Sequence, residues 1–284
     1  MTVLCRRRPG YPGRLLELHD PPAELHLCGE HLELLAWERP VVAIVGSRRA
    51  GDAGLGMARQ LARGAAAAGA LVVSGLALGV DAAAHEGALA AGAPTLAVLG
   101  CGPDVAYPRT NRGLYARILA AGLIVSEYPP GTEPAPWRFP ARNRLIAALA
   151  DAVVVVEAKV RSGALITADH ALDLGRDVLA VPGWPAFSGA GGTNALLKAG
   201  AGLIESVEDL NGWLGLEAPA PGSADGDPVL AALRDQPGYP DELSARLRLS
   251  PAELSAALAR LELGGEICRD GHGRWMPGSA ARAR

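Results

Sequence analysis

The stretch Val153-Val154-Val155-Val156 is a run of four β-branched residues that is apolar on both of its faces. Such a run is typical of a strand inside a parallel sheet that helices cover on both sides. Similar short runs recur from Val41 onward, and Ala-rich helical stretches separate them. This alternation predicts an α/β domain built on an extended Rossmann-like, doubly wound and mostly parallel sheet.

The predicted strands cover 41–45, 71–73, 95–99, 123–125, 153–156, 178–181 and 202–204, and the predicted helices cover 54–68, 80–91, 111–121, 141–150, 164–174 and 207–213. Residues 41–216 are therefore expected to form one domain. Residues 1–40 are expected to be a short N-terminal extension that packs on it. Residues 217–227 are rich in Pro, Gly, Ala and Asp and are expected to be a linker.

The composition is that of an ordinary globular protein, with 284 residues, 49% of them hydrophobic and 20% charged. The four cysteines are scattered, which indicates neither a disulfide framework nor a metal site, and we expect no cofactor. No apolar run approaches the roughly 20 residues that a membrane span needs. We therefore expect a cytoplasmic protein with no membrane partner.

Residues 228–277 show a different pattern, with three short helices followed by two short strands. This pattern predicts a small winged-helix domain, and residues 278–284 are expected to be a flexible tail. From Asp227 to Arg284 there are eight basic and eight acidic residues, and the third helix carries Glu253 and Glu262 against Arg260. Because a phosphate footprint needs a basic face, this balance favours a protein-binding or structural role over duplex binding.

The segment Arg138-Phe139-Pro140-Ala141-Arg142-Asn143-Arg144 places three guanidinium groups, an amide and one of the two Phe residues close together in a chain of net charge -3. Guanidinium groups bind phosphate oxygens, and an aromatic face can stack a base, so this composition suits single-stranded nucleic acid. The alternative is a solvated loop with an Arg-rich helix start. Two of the 27 basic residues are Lys and the other 25 are Arg, so an Arg alone is weak support for phosphate binding.

Several Gly-, Ser- and Arg-containing turns follow the predicted strands, where ligands bind in open parallel sheets. The first strand ends in Gly46-Ser47-Arg48, the second in Ser74-Gly75 and on to Gly79, and the fifth leads to Ser162-Gly163. Arg48, Arg109 and Arg142 are expected to converge there from three strand ends. Glycines let backbone amides approach a phosphate, and serine hydroxyls add donors.

Enzymatic signatures are weak. The chain contains no G-x-G-x-x-G, no phosphate-binding P-loop and no G-x-S-x-G nucleophile elbow. Asp81 and His85 share a predicted helix face and could form a base with its orienting carboxylate, but no companion nucleophile is evident. We therefore expect no catalytic residues.

Several motifs resemble the DprA/Smf family of DNA-processing proteins in order and spacing over residues 11–276. They are Val45-Gly46-Ser47-Arg48, Ser74 to Asp81 with His85, Tyr107-Pro108, Phe139 to Arg144, Ser162 to Thr167 and Val181-Pro182-Gly183. The resemblance implies a non-enzymatic homodimer that binds single-stranded DNA and helps to load RecA during natural transformation and recombination. Many members carry an N-terminal helical domain, whereas about ten residues precede Tyr11 here, which puts that domain's functions in doubt.

By the same resemblance, Ser47, Arg48, Arg109 and Arg142 would hold phosphates and Phe139 would stack a base. The turns of Gly75 to Gly79 and Ser162-Gly163 would supply amides. The full predicted site is Gly46, Ser47, Arg48, Ser74, Gly75, Gly79, Arg109, Phe139, Arg142, Asn143, Ser162 and Gly163.

A second hypothesis is an enzyme that hydrolyses the glycosidic bond of nucleoside monophosphates, because similar Rossmann domains do so. Those enzymes share a Gly-rich turn followed by a Glu. This chain has Gly191-Gly192-Thr193-Asn194 without the acid.

Overall fold

A computed structural model describes residues 1–216, 228–263, 265–270 and 273–278. The chain divides into two compact units, Met1–Ala218 and Pro219–Arg284. The predicted linker at 217–227, the wing tip at Gly271 and His272, and all of the predicted tail except Gly278 lie outside the described residues.

The first unit is built on a nine-stranded sheet. Its strands are β1 (Thr2–Cys5), β2 (Glu24–Cys28), β3 (Val41–Val45), β4 (Leu71–Ser74), β5 (Thr95–Leu99), β6 (Leu123–Ser126), β7 (Ala152–Val155), β8 (Asp177–Ala180) and β9 (Gly202–Leu203). Their spatial order is β1-β2-β6-β5-β4-β3-β7-β8-β9. The seven strands from β3 to β9 run parallel, which confirms the predicted α/β fold.

The helices of this unit alternate with the strands. They are α1 (Asp52–Ala67), α2 (Val80–Ala90), α3 (Arg112–Ala121), α4 (Arg138–Leu149), α5 (Gly163–Asp173), α6 (Gly191–Lys198) and α7 (Val207–Trp213). Helix α4 begins three residues before the predicted start at Ala141, so Arg138 and Phe139 belong to its first turn.

Burial on both faces explains why the central strands are continuous apolar runs. In β3, Val41, Ala43 and Val45 pack in one core layer with α4 and α5. Val42 and Ile44 pack in a second layer with α1 and α2. A one-residue slip would exchange the two layers, so the strand register is strongly specified.

The first 40 residues contribute more than the packing extension that the sequence suggested. Strand β2 pairs antiparallel with β6, placing His26 opposite Ser126, and β1 pairs antiparallel with β2. Leu15 and Leu34, from two short 3-10 helices, are buried in the same core layer as α4. This segment therefore extends the sheet by two strands.

The second unit has helices α8 (Pro228–Asp235), α9 (Pro240–Leu247) and α10 (Pro251–Leu263), then the hairpin β10 (Ile267–Arg269) and β11 (Trp275–Pro277). Leu233, Leu243, Leu258 and Trp275 are in its own core. Three helices and a two-stranded wing form the winged helix that the sequence predicts. In the described part of the chain, no helix combines the length and hydropathy needed to cross a bilayer.

A buried polar chain connects α2 to the sheet. The Thr95 hydroxyl donates to the Val72 carbonyl at 2.8 Å and lies 2.8 Å from His85 Nδ1. Because that hydroxyl proton is already committed, His85 must donate from Nδ1. Burial, aided by the positive charge of Arg142, lowers the pKa of His85 to about 3. The ring is therefore neutral in the folded protein, and it does not pair with Asp81.

A chain that ends at Leu216 should fold independently, because each unit has its own hydrophobic core. We expect the shortened protein to show a cooperative thermal transition by circular dichroism and a retained α/β spectrum. An uncooperative transition would contradict the independence of the first unit.

The free energy of unfolding should depend on pH through His85. The folded-state pKa of His85 is below the unfolded value of about 6.5, so its contribution is present above pH 6.5 and is lost as the pH falls toward 3. Between pH 7 and 5.5 the imidazole becomes protonated in the unfolded state but not in the folded state. The free energy of unfolding therefore falls by about 1 kcal/mol. Urea unfolding measures this free energy for wild type and for His85→Leu. Over the same pH range, the decrease should be smaller in the variant by this amount. Equal pH dependence in both proteins would contradict the buried neutral ring.

Candidate functional site

A crevice of about 340 Å³ opens at the carboxyl ends of β3 and β7, where the strand order reverses direction. This is the usual ligand position in a doubly wound sheet. Eight of the twelve predicted residues line it: Gly46, Ser47, Arg48, Phe139, Arg142, Asn143, Ser162 and Gly163. Ser74, Gly75, Gly79 and Arg109 are not among its lining residues.

Arg48, Phe139 and Tyr107 form a stack at the crevice. The rings of Phe139 and Tyr107 are nearly parallel, with centroids 5.4 Å apart and 22° between their planes. The Arg48 guanidinium lies 5.2 Å from the centre of the Phe139 ring. Arg48 and Tyr107 are exposed and Phe139 is half-buried, so the stack presents charge and aromatic surface together.

The loop after β3 is shaped by close backbone approaches. A Cβ on Gly46 would lie 2.7 Å from Val80 Cγ2 and 3.0 Å from the Glu157 carbonyl, so only glycine fits there without a shift. The Ser47 amide donates to the Glu157 carbonyl at 2.7 Å. Gly79 has a φ of 78°, and a Cβ there would clash with the Ser47 carbonyl oxygen. These contacts hold Arg48 at the rim.

Arg142 is placed differently from the expectation that it holds a phosphate. Its side chain is buried, and Nη1 donates to the carbonyls of Gly75 and Val98. Nε donates to Asn143 Oδ1 at 3.2 Å. Burial lowers the pKa of Arg142 to about 10, with the charge of Asp81 acting in the opposite direction, so the group remains a cation at neutral pH. Arg142 therefore lines the crevice as a buried cation, and its Nη1 and Nε atoms already donate to protein acceptors.

Asp81 completes this buried arrangement. Its Oδ2 accepts from the amides of Gly75 at 3.2 Å and Ala77 at 3.4 Å. Burial raises the pKa of this carboxyl, whereas Arg142 and the two amides counteract the rise. Two amides of the Gly75 to Gly79 turn, which the sequence suggested for a phosphate, are therefore used by Asp81.

The remaining predicted residues occupy three settings. Ser74 is fully buried and donates from Oγ to the Ile44 carbonyl at 2.7 Å, which ties β4 to β3. Ser162 caps α5 by accepting from the Ala164 amide at 3.4 Å, and Asn143 Nδ2 donates to the Gly163 carbonyl at 3.2 Å. Arg109 is exposed in the 3-10 helix Arg109–Asn111, two residues after Tyr107.

Sequence reasoning missed several crevice residues. Lys159, Arg161 and Thr167 line the crevice from the β7 side, and Arg49 lines it beside Arg48. Arg48, Arg49, Lys159 and Arg161 are exposed, and none forms an ion pair within the described part of the chain. The sequence does contain a signal for these residues, since Lys159 and Arg161 lie in the loop after β7, but it is weaker than the dense Arg cluster of 138–144.

The enzymatic alternative gains no support from the geometry. Asp81 and His85 have separate backbone and side-chain partners inside the core. Thr193 is buried with its hydroxyl donating to the Ala190 carbonyl, and Asn194 exchanges hydrogen bonds with both backbone groups of Gly183. Over the described residues, no group of three or more His, Cys, Asp or Glu side chains is arranged to hold a metal.

Comparisons with known proteins agree with this architecture. Residues 2–214 match the family model for DNA recombination-mediator protein A, and residues 216–273 match the model for the DprA winged helix domain. The chain is 41% identical over 209 residues to Protein Smf of Synechocystis sp., an alignment that covers 73% of this chain. It spans 52% of that relative's length.

Two solved structures share the fold. The X-ray structure of DNA processing protein A (DprA) from Streptococcus pneumoniae superposes with a TM-score of 0.71 at 40% identity, covering 76% of this chain and 74% of that one. DNA processing protein A from Helicobacter pylori, described for its single-stranded DNA binding mode, gives a TM-score of 0.67 at 34% identity, covering 75% and 95%. The α/β unit and the winged helix together place this chain in the DNA recombination-mediator protein A (DprA/Smf) family.

Proposed function

We propose that this protein binds single-stranded DNA in the crevice beyond β3 and β7 and acts on it without catalysis. The observation that carries the proposal is the stack of Arg48, Phe139 and Tyr107 beside exposed cations. Guanidinium groups neutralise phosphates, and aromatic faces stack unpaired bases of any sequence. The described single-strand binding of the Helicobacter pylori relative supports the same assignment.

The crevice suits a single strand better than a duplex. A base can stack on Phe139 only if one face of that base is free. Inside a duplex, neighbouring bases occupy both faces of each base. The balanced charge of 228–277 and the cations of the crevice together favour the first unit as the DNA-binding unit.

The further role that we propose is that of a recombination mediator. We infer that the protein works in the cytoplasm as a homodimer, protects incoming DNA and loads RecA onto it during natural transformation or recombination. The family membership and the order of motifs support this role. An assay for base release from nucleoside monophosphates tests the non-catalytic part, because measurable release that depends on Asp81 would contradict it.

The exposed cation of the stack should contribute directly to DNA affinity. Arg48→Ala should weaken binding of single strands by about 1.5 to 3 kcal/mol, the usual size of a lost charged hydrogen bond. The slope of the logarithm of the binding constant against the logarithm of the salt concentration should also become less steep by about 0.7, because one phosphate contact is lost. Arg117→Ala, on the exposed surface of α3, is the charge-matched control. A loss of equal size in both variants would mean that only overall charge matters.

The aromatic face should discriminate between single and double strands. Phe139→Ala should weaken single-strand binding by about 1 to 3 kcal/mol, the range for one stacked base, and should leave the salt slope unchanged. Fluorescence anisotropy with matched single- and double-stranded oligonucleotides measures the difference. An equal loss on both substrates would indicate that Phe139 only packs against Tyr107 and Gly100.

Arg142 should behave differently from Arg48, because it is buried and donates to the backbone carbonyls of Gly75 and Val98. Its removal leaves two buried carbonyls without this donor, at a cost of about 1 to 3 kcal/mol of stability for each unsatisfied group. Urea unfolding should therefore show a large loss for Arg142→Ala and almost none for Arg48→Ala, while both weaken DNA binding. An Arg142→Ala protein of wild-type stability with weakened binding would instead make Arg142 a direct phosphate ligand.

A further inference from the structure

Trp137 is the most exposed aromatic residue near the start of α4. Its side chain is 63% exposed and comes directly before the helix, two residues ahead of Phe139. Its ring is nearly perpendicular to that of Tyr128, with centroids 6.3 Å apart and 85° between the planes. The Arg138 guanidinium lies 5.0 Å from the Trp137 ring centre and 4.8 Å from that of Tyr128.

The composition around Trp137 repeats that of the crevice stack. Each cluster contains a guanidinium group, a tyrosine and a second aromatic ring, which in this cluster is the exposed Trp137. In the Trp137 cluster the guanidinium is further fixed, because Arg138 Nη1 donates to the Glu133 carbonyl. An ordered ring beside a fixed cation can accept a flat, electron-rich group and the phosphate attached to it.

We propose that Trp137 is a second stacking platform, which takes a base of the same DNA strand beyond the one at Phe139. This proposal rests on the proposed function of the crevice. Residues 137 and 139 are about 200° apart around the helix axis, since each residue turns by about 100°. The two rings therefore face different sides of the start of α4, and a strand that reaches both must pass over that helix end, whose dipole favours phosphate.

The surroundings of Trp137 favour a nucleobase over an apolar protein segment. Within residues 128–138, Trp137 is the only exposed aromatic residue. The other aromatic residue, Tyr128, is half-buried beneath the Arg138 guanidinium. A protein-docking site would present a wider apolar surface. A single ring with a guanidinium group beside it instead matches the contact that one base and its phosphate make.

The test uses the full-length protein and compares its binding of a short and a long oligonucleotide. Poly-dT probes of about four and about sixteen nucleotides span the range of known single-strand sites. Trp137→Ala should weaken binding of the long probe by about five- to 100-fold and affect the short probe much less, because a strand that stacks on Phe139 has few bases left to reach Trp137 when it is short. Trp137→Phe should bind both probes almost as wild type does. Trp213→Ala, a half-exposed tryptophan that hydrogen-bonds Asp177 where β8 begins, is the matched control.

Tryptophan fluorescence distinguishes stacking from a structural role. The long probe should quench the emission of wild type and of Trp213→Phe, and the quenching should be much smaller in Trp137→Phe although its affinity is kept. The salt slope should be the same in Trp137→Ala and wild type, since no charge is removed.

Unchanged long-probe affinity in Trp137→Ala would overturn the proposal, and it would leave the crevice function intact if Arg48→Ala and Phe139→Ala still lose affinity. Equal losses on both probes would also overturn it, because Trp137 would then only support the crevice. A wild-type protein that binds neither probe would overturn both proposals. A change in light-scattering mass with unchanged DNA binding would assign Trp137 to a protein contact instead.

Discussion

The buried guanidinium of Arg142 is the interaction on which the carboxyl edge of the sheet depends. It joins the carbonyl that follows β4, at Gly75, to the carbonyl of Val98 in β5. Removing an arginine from water is costly unless its donors and its charge are satisfied. Here Nη1 donates to the two backbone carbonyls and Nε donates to Asn143 Oδ1, while the charge of Asp81 acts to raise the pKa of Arg142 and its carboxylate accepts from two amides of the same turn.

This arrangement explains why three glycines surround the site. A side chain on Gly75 would collide with the Arg142 guanidinium, and one on Gly79 would collide with the Ser47 carbonyl. Gly46 leaves space for Val80 at the start of α2. The glycines thus allow the turns after β3 and β4 to pack against each other, and the rim that carries Arg48 is a consequence of that packing.

The sheet was predictable because a parallel strand that is buried on both faces is a continuous apolar run in the sequence, as in Val153 to Val156. Strands β1 and β2 were not, because β2 joins the sheet by pairing antiparallel with β6, about 100 positions away in the chain, as between His26 and Ser126, and β1 then pairs with β2. The location of the crevice also followed from the sequence, through the turns at strand ends. The roles inside it did not, because composition cannot distinguish a buried arginine such as Arg142 from an exposed one such as Arg48.

The arginines of 138–144 serve structure more than they supply free charge. Arg138 packs on two aromatic rings, Arg142 is buried, and Arg144 pairs with Glu127 at 2.6 Å. The crevice cations that form no ion pair with any described residue come instead from the loops after β3 and β7. The start of α4 thus provides aromatic surface, and the loops after β3 and β7 provide charge on long exposed side chains. Under the proposed function, bases would stack on the aromatic surface and phosphates would meet these cations, and neither contact requires a particular sequence.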